Sequence, residues 1–252
     1  MSIAGASGRC LESLDVFVLA GGLGTRIRPV LGDQPKVLAP IRGRPYLSYL
    51  LHWLQRYGAR RVVLGLGYRA QAVIDYLRSK PPCGVQVATV IEPQPLGTAG
   101  AVRFARNELR SDPVLVMNGD SFTAADLCEF VDGHRAAGPA AAATMLCAEV
   151  DNAGRYGRVE IDESGWVRSF IEKDTSFAGS APVNAGVYLI SARLLDQIAA
   201  GQAGSLERDV FERLPPQSLR AFAGRFAFID IGTPESLALA ASVIDAGGVQ
   251  TG

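Results

Sequence analysis

The sequence predicts an α/β protein with a mostly parallel central sheet flanked by helices, followed by a smaller antiparallel or mixed part. Three observations carry this. Short β-branched apolar runs alternate with segments of helical period as far as residue 138, strand-like runs crowd together from Pro139 onward, and the composition is ordinary for a globular chain. Of 252 residues, 48% are hydrophobic and 20% charged, enough for one sizeable core.

The first strand is DVFVLA, ending at Ala20. PYLSYLLHWLQRYG follows as a helix with Leu47, Leu50, Leu51 and Leu54 on one face and Gly58 placed to stop it. RRVVLGLG reads as strand, AQAVIDYLRS as helix, VQVATVI as strand, TAGAVRFARNELR as helix capped by Thr98, and PVLVMN as strand. Strand–helix alternation of this kind implies parallel pairing, and such sheets bind ligands at the carboxyl ends of their strands. Beyond Pro139, AAAATMLCAEV, YGRVEID, WVRSFIEK and NAGVYLIS are strand-like, SLERDVFERL is helical, and one more strand-like stretch leads to IDIG. The last helix, TPESLALAASVIDAGG, has Thr233 as its cap, Pro234 in the first turn and Gly247 as its stop.

Lys plus Arg and Asp plus Glu both total 25, so no global field points to nucleic acid or an anionic membrane. No run approaches the roughly 18 apolar residues of a membrane helix. Cys10, Cys83, Cys128 and Cys147 form no CxxC pair or zinc spacing and read as reduced thiols. Residues 1–14 lack the basic start and apolar core of a secretory signal, so they are expected to be a loose extension on a cytoplasmic protein. Residues 15–252 then form one domain, and His52 and His134 pair with no nucleophile signature.

VFVLAGGLGTRIRP, residues 16–29, leads from strand into glycines. It lacks the dinucleotide fingerprint, because Ile27 stands where the third glycine belongs, and it lacks the GK[ST] of a P-loop. Gly21, Gly22 and Gly24 still free the backbone for positive φ and close approach of a ring, and Arg26 and Arg28 are fixed cations suited to a polyphosphate. Taken alone, the glycines are a tight βα turn with solvated arginines. Asp120 in NGDSF and Asp230 in FIDIGTPE both end strands, and two converging carboxylates there suit Mg²⁺.

The longer run GLGTRIRPVLGDQPKVLAPI, residues 22–41, resembles the GxGTR…PK signature of the sugar-1-phosphate nucleotidylyltransferases, and further motifs match in order from about Val16 to about Ala246. The resemblance implies a Rossmann-like nucleotidyltransferase fold, with residues 15–138 as the nucleotide-binding half and 139–252 as the sugar-phosphate-binding half. It implies that Ala20, Gly21, Gly22, Gly24 and Thr25 cradle a nucleoside triphosphate, with Arg26 on the departing pyrophosphate and Lys36 on the phosphates at the reacting centre. EPQPLGTAGA brings Glu92, Gly97, Thr98 and Gly100 to the base. Asp120 and Asp230 take the Mg²⁺-holding positions, and Gly157, Glu172, Lys173 and Asn184 the positions that meet the sugar and its phosphate; Asp174 stands where the family has proline after EK.

Among subfamilies, the D-glycero-α-D-manno-heptose 1-phosphate guanylyltransferases look nearest. The implied reaction moves GMP from GTP to the sugar 1-phosphate for cell-surface glycan synthesis. Mannose 1-phosphate guanylyltransferases and N-acetylmuramate or hexose 1-phosphate uridylyl- and thymidylyltransferases share most of the motifs, and a homodimer is compatible with them. A nucleotide-sensing regulatory subunit would not need Arg26, Lys36, Asp120, Lys173 and Asp230 together. A dinucleotide-dependent oxidoreductase would need the missing third glycine. Guanine is implied by Glu92, since an ionised carboxylate can accept from both N1–H and N2–H₂ of that base.

Overall fold

The computed structural model describes residues 8–202 and 204–249. In chain order the first half contains β1 (Asp15–Ala20), α1 (Arg28–Leu31), β2 (Pro40–Ile41), β3 (Arg44–Pro45), α2 (Tyr46–Arg56), β4 (Arg61–Leu66), α3 (Ala70–Ser79), β5 (Gln86–Ile91), α4 (Gly97–Ala105) and β6 (Val114–Asn118). The second contains β7 (Ser121–Thr123), α5 (Leu127–Ala137), β8 (Ala143–Val150), β9 (Arg158–Ile161), β10 (Val167–Ile171), β11 (Ala181–Ile190), α6 (Ala192–Ala200), β12 (Leu219–Gly224), β13 (Phe228–Asp230) and α7 (Pro234–Ala246).

Nine strands form one sheet. β6, β1, β4 and β5 lie side by side in parallel, and β11 joins β6 antiparallel, extending the same sheet to β8, β9, β10 and β12. The mixed part expected after Pro139 is therefore a continuation of the parallel sheet. Period-two alternation sorts its side chains onto two faces. Val16, Val18, Leu64 and Met117 pack with α2, α5 and α7, while Phe17, Val63, Val116 and Tyr188 pack with α4 and α6. Burial on both faces explains why these strands read as near-continuous apolar runs.

Helix ends follow their sequence signals at several points. Gly58 lies just beyond α2 with φ +86°, and Thr233 and Ser236 form a capping box on α7, with Pro234 in its first turn. Other expectations are corrected. Thr98 does not cap α4: the helix already begins at Gly97, and the Thr98 hydroxyl accepts from the Leu206 amide instead (2.8 Å). α4 stops at Ala105 and continues as a 3₁₀ turn through Glu108. Residues 206–213 form a π-helical turn, Leu206–Val210, and then a 3₁₀ turn rather than an α-helix.

The thiol expectation also changes. Cys10 and Cys128 form a disulfide across 118 residues, while Cys83 and Cys147 are free. No local spacing encodes that pair. Its halves meet because Leu11 and Leu14 are buried and the Leu11 amide donates to the Tyr57 carbonyl (3.0 Å), so residues 8–14 are packed against the body rather than loose. Residues 1–7 of the expected extension lie outside the described residues.

Candidate functional site

Two strand ends set the frame. β1 and β6 are adjacent and parallel, so the loop after Ala20 and the turn after Asn118 emerge side by side at the carboxyl edge of the sheet. Gly119 keeps them close: its amide donates to the Leu19 carbonyl (2.8 Å), and a Cβ built on it would lie 2.8 Å from that oxygen. Asp120 follows directly.

Asp230 arrives from 110 positions downstream through a small ladder. β7 and β13 pair antiparallel with Ser121 opposite Asp230, and the Ile231 amide donates to the Asp120 carbonyl (2.9 Å). The ladder is held from beneath by Tyr46, whose buried hydroxyl donates to the Ser121 carbonyl (2.7 Å). Burial, with the Asp120 and Asp230 charges nearby, pushes the Tyr46 phenol well above its ordinary pKa, so it stays a neutral donor.

Lys36 joins the two carboxylates. It opens a 3₁₀ turn, Lys36–Leu38, anchored by buried Val37 and Leu38, and its Nζ lies 2.5 Å from Asp120 Oδ2 and 3.2 Å from Asp230 Oδ1. The lysine side chain is only 12% exposed, so its charge needs these partners in place of water. Gly232 completes the packing: a Cβ there would lie 2.7 Å from Asp230 Oδ1, 3.0 Å from Lys36 Nζ and 3.2 Å from an Arg26 nitrogen. Those distances also locate Arg26 beside the cluster. Next to it is a cavity of about 210 Å³ lined by Ala20, Gly22, Gly24, Thr25, Arg26, Lys36, Gly119, Asp120 and Gly232, among others.

The three loop glycines do different things. Gly24 alone takes a positive φ (+58°); Gly21 and Gly22 do not, contrary to expectation. Gly21 instead permits close approach, since its Cβ would lie 3.1 Å from Glu92 Oε1 and 3.3 Å from the Gly67 amide. Glu92 is half-buried at the end of β5 and accepts from the Leu96 amide (3.1 Å). Burial raises its carboxyl pKa, and the Leu96 hydrogen bond partly opposes the rise. Arg28 does not join the cluster: it pairs with Asp33 (3.1 Å), which also takes Arg69 (2.7 Å).

The other expected residues lie further along the sheet. Gly97 has φ +74°, and its backbone presses against Gly204, whose carbonyl accepts from the Ala99 amide (3.0 Å). Gly100 is buried in α4. Gly157 precedes β9, with only the Ile171 carbonyl among the described residues near its would-be Cβ (3.6 Å). Glu172 and Lys173 follow β10, are exposed, and make no hydrogen bond or ion pair among the described residues. Asn184, on β11, is fixed at both ends of its amide, accepting from Gly186 N and donating to the Tyr188 hydroxyl, both at 2.8 Å.

Gly232, which packs against the cluster, was not singled out from the sequence, although it stands in the quoted IDIG stretch. His134 is buried against the Thr144 hydroxyl (2.7 Å), far from this arrangement in role: burial lowers its pKa and keeps it neutral. Among the described residues no helix is long and apolar enough to cross a membrane.

Comparison with known proteins places the chain in a family. A mannose-1-phosphate guanylyltransferase of Mycobacterium tuberculosis is 33% identical over 227 residues, covering 89% of this chain, which spans 62% of that protein's length. A D-glycero-alpha-D-manno-heptose 1-phosphate guanylyltransferase of Campylobacter jejuni is 30% identical over 226 residues, covering 88% of this chain and 96% of its own. The crystal structure of HddC from Yersinia pseudotuberculosis complexed with GMP-PN superposes with a TM-score of 0.81 at 33% identity, covering 90% of this chain and 97% of the other. The model of the nucleotidyl transferase family matches residues 16–246, and the chain belongs to that family.

Proposed function

We propose that the protein transfers GMP from GTP to a sugar 1-phosphate, with a D-glycero-α-D-manno-heptose 1-phosphate as acceptor, for cell-surface glycan synthesis. The observation that carries this is the Lys36–Asp120–Asp230 cluster with Arg26 beside it at the carboxyl edge of β1 and β6, with Lys36, Asp120 and Arg26 lining a cavity. The acceptor oxygen is already anionic, so no protein nucleophile is required. It attacks the α-phosphorus, a new P–O bond forms, the α–β anhydride bond breaks, and pyrophosphate leaves with the electron pair.

In this reading residues 15–138 take the nucleotide and 139–252 the sugar phosphate. The loop from Ala20 to Thr25 cradles the triphosphate, Arg26 draws charge toward the leaving pyrophosphate, and Lys36 meets the phosphates at the reacting centre. Gly97 and Thr98 flank the base, and Glu92 accepts from guanine. Gly157, Glu172, Lys173 and Asn184 receive the sugar and its phosphate.

Mg²⁺ fits the donor set. Asp120 and Asp230 offer hard oxygen donors that already converge on one cation, the Lys36 ammonium. Among the described residues no third His, Cys, Asp or Glu completes a cage, which suits an ion that keeps waters and takes substrate phosphates. When bound, the ion supplies charge neutralisation at the α-phosphate. The setting proposed is cytoplasmic; the Cys10–Cys128 disulfide runs against it, because disulfides are rare there, and the redox state of that pair is the point to test. Rapid alkylation of Cys10 and Cys128 in fresh lysate checks it, and full protection of both counts against it.

The test is a matrix of the four ribonucleoside triphosphates and dTTP against heptose and mannose 1-phosphates, scored by pyrophosphate release. Turnover confined to GTP with the heptose 1-phosphate supports the reading. A faster reaction with mannose 1-phosphate moves the acceptor, and preference for UTP or dTTP overturns the donor.

A further inference from the structure

A polar chain runs from the β11 strand to the turn that opens α4. Asn184 Nδ2 donates to the Tyr188 hydroxyl (2.8 Å), and that hydroxyl donates to Glu207 Oε1 (2.8 Å). Glu207 Oε2 accepts from Ser205 Oγ (2.9 Å) and lies 3.5 Å from Thr98 Oγ1, which itself accepts from the Leu206 amide. Asp209 pins the segment by accepting from the amides of Gly204 (2.9 Å) and Ser205 (2.7 Å). The Tyr188 side chain is fully buried, packed on Phe211 with ring centroids 5.1 Å apart, so its hydroxyl has no water to turn to.

From this we infer that Tyr188 and Glu207 are positioning residues: they fix the amide of Asn184 for a sugar hydroxyl and tie that recognition to the Thr98 turn. The inference rests on the proposed nucleotidyl transfer. A side-chain amide has two N–H groups and two lone pairs. Gly186 N takes one lone pair and Tyr188 takes one N–H, which locks the amide against flipping. One donor and one acceptor remain, the pair a single hydroxyl uses. Without the Tyr188 hydroxyl, only the Gly186 amide holds the side chain, and the rest of the ordering must then be supplied when the sugar binds. Glu207 differs from Tyr188 in reach, because it also holds the segment carrying Ser205 and Leu206 against Thr98.

The experiment is a double-mutant cycle with Tyr188→Phe and Asn184→Ala, read as KM for the sugar 1-phosphate, KM for GTP, and kcat. Tyr188→Phe keeps the ring and its packing. We expect it to raise the sugar KM about 10-fold, with kcat and the GTP KM changed less than about threefold. In the Asn184→Ala background, the same change should add nothing. Glu207→Ala should raise both the sugar KM and the GTP KM. An unchanged sugar KM in Tyr188→Phe overturns the inference, as do equal effects of that substitution in both backgrounds. Calorimetric titration with the sugar 1-phosphate separates this from failure of the underlying reading. A wild-type chain that neither releases pyrophosphate nor binds any sugar 1-phosphate overturns both, whereas turnover with additive effects overturns the relay alone.

Discussion

At the β1–β6 end of the proposed site, Lys36, Asp120 and Asp230 already touch and Arg26 lies beside them; at the β9–β10 end, Glu172 and Lys173 stand exposed without partners among the described residues. The difference follows from charge and burial. A lysine that is 12% exposed cannot stand alone, so the fold supplies two carboxylates as its partners. A solvated lysine has no such need, and in the proposed function its partner is the incoming phosphate. The first end is therefore expected to act on the chemical step and the second on acceptor binding.

The largest effect that can break this contrast is at Asp120 and Asp230, the carboxylates proposed to hold Mg²⁺. Asp120→Ala and Asp230→Ala should each lower kcat by at least about 100-fold, because each removes a carboxylate from the charge-neutralising centre. Each also leaves Lys36 with one partner fewer, so the fold should be checked by thermal unfolding. Either variant releasing pyrophosphate at the wild-type rate would remove that residue from the centre.

Two glycines sharpen the contrast next. Gly232→Ala puts a methyl group 2.7 Å from Asp230 Oδ1 and 3.0 Å from Lys36 Nζ, which forces the cluster apart. Displacement of about 1 Å at a reacting centre lowers kcat by roughly 10- to 100-fold. Gly157→Ala meets nothing nearer than 3.6 Å, so melting temperature and kcat should hold while the KM for sugar 1-phosphate rises. If the two alanines behave alike, the two ends are not built differently. In the same spirit Lys173→Ala should leave the melting temperature unchanged and raise that KM about 10-fold, the value of one charge-assisted hydrogen bond. A fall in stability instead would show that Lys173 is structural.

The fold was legible in the sequence to the degree that single elements carry their own period. Buried strands such as DVFVLA and one-faced helices such as α2 announce themselves, and so do local caps such as Thr233. The charged end was legible as residue types at strand ends, and as an assembly only through the family resemblance, not from either segment by itself. Asp120 and Asp230 meet only because β7 pairs with β13, and no property of either segment alone specifies that partner. The Cys10–Cys128 bridge and the Tyr188–Glu207 contact were hidden for the same reason: each depends on which remote surfaces pack together. Thr98 was misread because its hydroxyl finds a tertiary partner, the Leu206 amide, in place of its own helix.

An effect of the same size as that at Lys173 concerns the base, on the nucleotide side but away from the charged cluster. Glu92 is held against the Gly21 backbone and accepts from the Leu96 amide through Oε2, leaving Oε1 toward the loop. A carboxylate has acceptor capacity for both guanine N–H groups, whereas glutamine offers an acceptor and a donor. Glu92→Gln should therefore lower use of GTP relative to UTP and dTTP by about 10-fold, as expected for one bidentate recognition pair, with melting temperature little changed because glutamine still accepts from Leu96. The pH dependence gives an independent reading. Burial raises the folded-state pKa of Glu92, so its protonated form is favoured by folding; the associated stability is present below the unfolded pKa and lost as pH rises through the folded one. Guanine recognition runs the other way, since it needs the ionised form. GTP preference should weaken as pH falls through the raised pKa, at a higher pH than an exposed glutamate would allow, and Glu92→Gln should abolish that dependence. Competition of GTP, UTP and dTTP at equal concentration across that range measures it. A donor ranking that is flat with pH in the wild type, or unchanged in Glu92→Gln, would take Glu92 out of base selection and leave it as the acceptor that secures the turn at Leu96.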